Sequence, residues 1–215
     1  MIEFTLWDIV RNLLLATRWT IVLSAVAFSG GIVVGLFVLF LRISKRRRVA
    51  RSAEIYIALF QGTPLLMQLF LMYFGLPLIG IRIEAWTAAS LGLTLFASAF
   101  LADIWRGGLQ SLPSGQWDAG ASLGLHYVNQ LRLVILPQTF AITRAPTVGF
   151  LVQLIKSTAL TSIIGFDELM RASNAINNAT FQPFTVYGFV ALIYFALCFP
   201  LTRYAKALER RAQPY

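Results

Sequence analysis

The stretch DAGASLGLHYVNQLRLVILPQ, Asp118 to Gln138, decides how the rest of the chain is read. It is too polar to be a membrane span, yet it lies between two strongly apolar runs. Gly107-Gly108 and Pro113-Ser114-Gly115 break the chain ahead of it, after which Gln116 to Leu123 is predicted to form two helical turns. Gly124 ends that helix, because glycine takes the left-handed conformation without a Cβ penalty. A second short helix is expected roughly from His126 to Leu133, leading to Pro137. Two short helices at a glycine corner, tethered at both ends to spans, make a compact knob suited to docking in a partner's groove.

Outward from the knob the composition is that of a membrane protein. The 215 residues are 58% hydrophobic and 13% charged, against roughly 45–50% apolar residues in an average soluble domain, and the mean hydropathy is +0.71. A helix needs about 20 apolar residues to cross a hydrocarbon core of roughly 30 Å. Trp19 to Leu41, Ile55 to Ile81 and Phe184 to Thr202 are uncharged runs of that kind, and Ala85 to Ala102 is shorter but sufficient. Leu133 to Ile155 is interrupted by Arg144 and followed by Lys156, and its span is expected to begin near Pro137, where proline suits a first helical turn. The expected fold is all-α, an integral membrane protein with five transmembrane helices at about 17–41, 54–80, 85–105, 137–156 and 184–207 and the knob at about 112–136. No repeat or low-complexity segment divides residues 1–215, which we read as a single domain.

A net charge of +9 does not point to nucleic acid here, because the basic residues sit beside the hydrophobic runs. With five spans, Arg42, Lys45, Arg46, Arg47, Arg48, Arg51, Arg106, Arg132, Arg203, Lys206, Arg210 and Arg211 fall on one side, and only Arg11, Arg18, Arg82 and Arg171 on the other. Twelve against four places the N-terminus outside and the C-terminus and knob in the cytoplasm. The basic run SKRRRVAR is then a topological anchor. The opening stretch MIEFTLWDIV lacks a basic n-region and cleavage site, and we read it as mature protein. One cysteine, Cys198, and one histidine, His126, give neither a disulfide pair nor a metal set.

The knob resembles the EAA loop of ATP-binding-cassette (ABC) importer permeases, whose pattern is Glu-Ala-Ala, three residues, Gly, nine residues, Ile-x-Leu-Pro. Asp118-Ala119-Gly120 stands for the triplet, Gly124 for the glycine and Val134-Ile135-Leu136-Pro137 for the end, with both spacings kept. Further segments are similar to the polar amino acid subfamily: TRWTIVLS in the first span, QGTPLLMQLFLMYFGLP in the second, ADIWRGGLQSLPSGQ after the third and KSTALTSIIGFDEL after the fourth. Gln61 replaces the subfamily's arginine and Asp103 its glutamate. The resemblance implies a type I importer in a bacterial plasma (inner) membrane: two permeases, the same or related, two ABC ATPase subunits and an extracytoplasmic substrate-binding protein. It makes the 113–137 loop the coupling helix, with Asp118, Ala119, Gly120, Leu123, Gly124 and Pro137 at the ATPase. This chain has no P-loop, so it is not expected to be an enzyme. ATP and magnesium are expected in the partner subunits, and no cofactor or metal in this chain.

Candidate residues follow from the cost of polar groups in hydrocarbon. Gln61-Gly62-Thr63-Pro64 interrupts the second span, and Pro64 frees a carbonyl that some group must satisfy. Gln61 and Thr63 are read either as an inward-facing wall of the substrate pathway or as part of a helix-packing motif. Lys156, Ser157 and Thr158 could meet a zwitterion's carboxylate on that pathway, or Lys156 could snorkel to the outer interface. Asp103 and Arg106 are spaced for a structural or gating ion pair. Arg144 is expected inside the bundle or near the cytosolic face, partnered by a carboxylate or backbone carbonyls. Asp167, Glu168 and Arg171 are expected on a solvated helix face, with contact to the binding protein as the alternative. His126 is read as a surface residue, and Trp7, Trp19 and Trp86 as interface anchors.

The function expected is translocation of a polar L-amino acid by alternating access, driven by the docked ATPases. The competing reading is a stand-alone channel or secondary carrier for a small polar solute, which leaves the knob unexplained. A membrane-embedded enzyme using Asp103, His126 or Asp167 is disfavoured, since the three are expected at different depths with no nucleophile–base pair among them.

Overall fold

A computed structural model describes residues 5–212, and among them every regular element is helical. Helix α1 is Leu6–Arg42. Its start is fixed by a capping box: the Thr5 hydroxyl accepts from the Asp8 amide at 3.2 Å while the Asp8 carboxylate accepts from the Thr5 amide at 3.1 Å. The helix therefore begins thirteen residues before Trp19, the first residue of the uncharged apolar run. Its 37 residues reach about 55 Å at 1.5 Å per residue. The extra turns carry Asp8, Arg11 and Arg18 on their outer faces and bury Ile9 and Leu13 against the α8 and α9 helices described below.

Along α1 the inward stripe is Leu13, Thr17, Thr20, Ser24, Ala27, Gly31, Gly35 and Val38. From Leu23 onward it packs against α4, Ala85–Gln110, in the most extensive helix–helix interface among the described residues. A Cβ on Gly31 would lie 2.7 Å from that of Ala97, and one on Gly35 would lie 3.0 Å from the Ser98 carbonyl oxygen. Small residues on both helices let the two backbones approach, the usual basis of packing where lipid supplies no hydrophobic drive between helices.

The run Ile55 to Ile81, expected as one kinked span, is two rods. Helix α2, Arg47–Gly62, and α3, Leu65–Phe70 with its π and 3₁₀ continuation to Ile79, meet at 103°. Pro64 has no amide proton for the Phe60 carbonyl, and the Gln68 amide takes its place, donating at 2.9 Å to Phe60 and at 3.0 Å to the Thr63 carbonyl. Tyr56 holds α2 to α4, its hydroxyl 2.7 Å from Ser98 Oγ.

After α4 come α5, Ser114–Ser122, and α6, Tyr127–Gln130, which passes through a π turn at Leu131–Ile135 into α7, Leu136–Ser157. Gly108 of α4 fits against Thr143 of α7, and Phe100 stacks on Phe150 at 5.4 Å. A 3₁₀ turn, Thr158–Ser162, leads to α8, Leu169–Thr180, and α9, Pro183–Ala212. Helices α1, α4 and α9 are each long and apolar enough to cross a membrane, and the bent pair makes a fourth such unit. Helix α7 has 22 residues but carries Arg144 and Lys156.

Gly31→Leu is expected to lower the stability of the detergent-solubilised protein by about 1–3 kcal/mol, the ordinary penalty of overpacking a close contact. Gly188→Ala, where a Cβ meets nothing within 4 Å, is the control and leaves the thermal midpoint unchanged or slightly higher.

Candidate functional site

Three polar groupings lie outside or between the packed cores. The first is the knob. Helix α5 ends in a Schellman motif: Gly124 has φ +71°, its amide donates to the Ala121 carbonyl at 2.9 Å, and the Leu125 amide donates to that of Gly120 at 3.1 Å. Gly120 is buried, with Gln130 3.0 Å from where its Cβ would be, which favours the smallest residue at this place in the triplet. Trp117 stacks on Tyr127 at 5.7 Å, and the Lys45 ammonium lies 5.4 Å from the Tyr127 ring centre, tying the knob to the α1–α2 turn. Gln138 donates to Gln116 at 3.0 Å and holds α5 to the start of α7. Asp118, Ala119, Leu123 and Pro137 are exposed, Leu123 at 79%, as is His126, the N-cap of α6.

The second grouping is at the break in the second span. Gln61 and Thr63 are both exposed. The Thr63 hydroxyl donates to the Leu59 carbonyl at 2.7 Å and accepts from Gln68 at 2.9 Å, so it also secures the bend. Helix α3 packs on the 3₁₀ turn that continues the end of α7. There Lys156 is exposed, while Ser157 and Thr158 are buried and donate to the Gln153 and Ile155 carbonyls of their own helix. The three polar residues thus do not converge. Lys156 instead continues an open stripe on α7 formed by Ile142, Pro146, Gly149 and Gln153. Gln153 and Gln68 are the site residues that the sequence reading passed over. At the C-terminal end of α4, Arg106 chelates one Asp103 oxygen at 2.8 and 3.1 Å and donates to Gln110 at 3.0 Å.

The third lies ahead of α8. Asp167 and Arg171 form an exposed ion pair, in keeping with a solvated face. Glu168 overturns that expectation for itself, being fully buried at 0% exposure. It caps α8 by accepting from the Arg171 amide at 2.9 Å, and its other oxygen accepts from Tyr194 at 3.3 Å and Thr20 at 3.4 Å. One carboxylate thus joins α1, α8 and α9. Burial pushes its pKa up, against the lowering effect of the Met170 and Arg171 amides and the two hydroxyls. Arg144, too, departs from expectation: its neighbour is the Phe140 ring, 5.8 Å from the guanidinium, rather than a carboxylate. Trp19 packs edge-on to Trp86 with ring centres 6.0 Å apart. Among the described residues no group of three His, Cys, Asp or Glu side chains could hold a metal.

Apolar helices long enough to span a bilayer, with a two-helix knob between two of them, define the membrane subunit of a larger transport assembly. The chain belongs to the family described as binding-protein-dependent transport system inner membrane component, whose model matches residues 9–214. A member of that family is a membrane permease component rather than an enzyme. The chain is 36% identical over 225 residues to the probable amino-acid ABC transporter permease protein YckA of Bacillus subtilis (strain 168), covering 100% of both chains. It is 32% identical to the probable glutamine ABC transporter permease protein GlnM of the same organism, covering 90% of each. Among solved structures it is similar to a chain of an amino acid ABC transporter crystallised with histidines, with a TM-score of 0.90 and 31% identity over 98% of this chain and 100% of that one.

A carboxyl whose pKa is raised on folding contributes most stability below its ordinary pKa and loses it as pH rises through the raised one. The thermal midpoint should therefore fall as pH rises above the ordinary carboxylate range. Glu168→Gln, which keeps the cap acceptor, should flatten that slope; parallel slopes for the two proteins would show that Glu168 adds nothing to the pH dependence.

Proposed function

We propose that this chain is the permease of an importer that carries a polar L-amino acid, received from an extracytoplasmic binding protein, into a bacterial cell by alternating access. Two ABC ATPase subunits, which hold the ATP and magnesium, dock at the 113–137 knob, and a second permease of the same or related sequence completes the pore. The basic residues of the α1–α2 turn, the knob and the tail set the knob and C-terminus in the cytoplasm and the N-terminus outside.

The observation that carries this reading is the apolar surface of the knob. Leu123 is 79% exposed beside a rigid glycine corner, and Val128 and Leu133 are 60% and 63% exposed. Apolar side chains held out on a well-ordered polar segment mark an interaction surface. A lone carrier has no use for it. Asp118 has no ion-pair partner among the described residues and is free to meet a basic residue of the ATPase. Because α5 is clamped to α7 through Gln116–Gln138 and α7 continues α6 through the π turn, a push on α5 is transmitted along α7.

That helix presents Gly149, Gln153 and Lys156 on its open stripe, and we assign this face, with Gln61 and Thr63 at the adjacent break, to the substrate pathway. Lys156 supplies the positive charge for the cargo's carboxylate. Ser157 and Thr158 shape the wall behind it through their backbone bonds. Asp103 and Arg106 sit at the inner end of the pathway as a structural or gating pair.

Gly124→Val places a β-branched residue at φ +71°, where it is strained. In proteoliposomes containing the whole transporter, ATP hydrolysis should persist while uptake falls steeply; normal uptake per ATP would remove the glycine corner from coupling. Lys156→Ala deletes a charge-assisted contact worth about 1.5–3 kcal/mol, so half-saturation should rise at least about tenfold with the ATPase still bound. Unchanged transport kinetics would return Lys156 to an anchoring role.

A further inference from the structure

The charge on Arg144 is unaccounted for by the transport reading. It belongs to a groove of about 540 Å³ floored by α7 and walled by α1, α4 and α9, whose lining, apart from hydroxyls of α7 and α9, is apolar, including Ile32, Leu36, Phe140, Val148 and Leu151. The ion pairs among the described residues join Arg42 to Glu54, Arg106 to Asp103 and Arg171 to Asp167, leaving Arg144 with none. An uncompensated guanidinium beside hydrocarbon is costly, and such residues pair or reach toward a polar boundary.

Geometry fixes both the depth and the facing of this groove. Leu39 of α1 and Tyr204 and Leu208 of α9 line the same groove as Arg144. Arg42 follows Leu39 by three residues, and Arg203, Lys206, Arg210 and Arg211 surround Tyr204 and Leu208 in sequence. The mouth therefore lies at the basic end of the bundle, at the level where α7 leaves the knob. Arg144 and Gln153 are nine residues apart on α7, about 180° around the helix at 100° per residue. The groove thus opens on the side of α7 away from the Gln153–Lys156 stripe.

We propose that this groove is a binding site for an anionic glycerophospholipid of the leaflet on the knob's side. An acyl chain lies along Leu36, Val148 and Leu151, and the phosphate accepts paired N–H bonds from Arg144, a geometry that guanidinium suits better than ammonium. Phe140, stacked beneath the guanidinium, limits its freedom before the lipid arrives. The basic end of the bundle favours a net negative headgroup over a zwitterionic one. Only the assignment to the cytoplasmic leaflet rests on the proposed orientation; the site itself does not depend on which amino acid is carried.

The test is retention of phosphatidylglycerol against phosphatidylcholine of the same acyl chains by the detergent-purified full transporter, counted by native mass spectrometry. The wild type should prefer phosphatidylglycerol, and Arg144→Leu should reduce its retention about fivefold with phosphatidylcholine unchanged, the effect of one basic residue at an anionic surface. Arg144→Lys, which keeps the charge and loses the paired geometry, should keep only part of the preference, and Val148→Trp, which fills the groove and spares the charge, should reduce retention of both lipids. Equal phosphatidylglycerol retention by wild type and Arg144→Leu overturns the proposal. So does loss of the second permease from the Arg144→Leu complex with lipid retention unchanged, which would make the groove a subunit interface.

Discussion

Helices α1 and α4 approach closely because α4 is thin. Where the two meet, α4 presents Thr94, Ala97 and Ser98, and α1 answers with Gly30, Gly31 and Gly35. In a bilayer, where side chains gain little by leaving lipid for one another, backbone proximity and van der Waals contact must do what hydrophobic burial does in water. Everything else hangs on that pair. Tyr56 ties α2 to α4 through Ser98, Phe150 sets α7 against it by stacking on Phe100, and Glu168 pins α8 and α9 to α1 through Thr20.

The second constraint is that backbone groups in hydrocarbon need partners from within the protein. A 103° turn in an apolar stretch exposes such groups unless a side chain covers them. Gln68, one turn into α3, does so for Phe60 and Thr63 at once. The bend is thereby secured from within the protein, and Gln61 and Thr63 stand exposed at its corner instead of within a continuous span. Proline supplies the break and glutamine makes it tolerable, so neither residue explains the bend alone.

Local rules were legible in the sequence and distant ones were not. Gly124 as a helix stop, Pro137 in the first turn of α7 and the Asp103–Arg106 spacing follow from a few neighbouring residues, and each has the expected geometry. The early start of α1 was hidden because Asp8, Arg11 and Arg18 end the apolar run, whereas the helix is set by the Thr5 cap and by burial of Ile9 and Leu13. The interruption at Gln61–Pro64 was legible from its proline, but the 103° angle was not, because hydropathy carries no direction. Glu168 looked solvated among polar neighbours, and its burial depends on Thr20, 148 residues away, and Tyr194, 26 residues away. In the candidate site Lys156 was visible as a charge after an apolar run. Its separation from Ser157 and Thr158 was not, since adjacent positions on a helix point about 100° apart.

The proposed point at which force from ATP enters the membrane domain is the knob. The chain has one cysteine, Cys198, which is buried. Replacing Cys198 with alanine and Leu123 with cysteine therefore leaves a single thiol at the tip of the knob for a short photo-crosslinker. In membranes containing the intact transporter, the account predicts an adduct with the ABC ATPase subunit whose yield changes when ATP is added. Efficient labelling at position 123 with no ATPase adduct, under conditions where uptake persists, would contradict it.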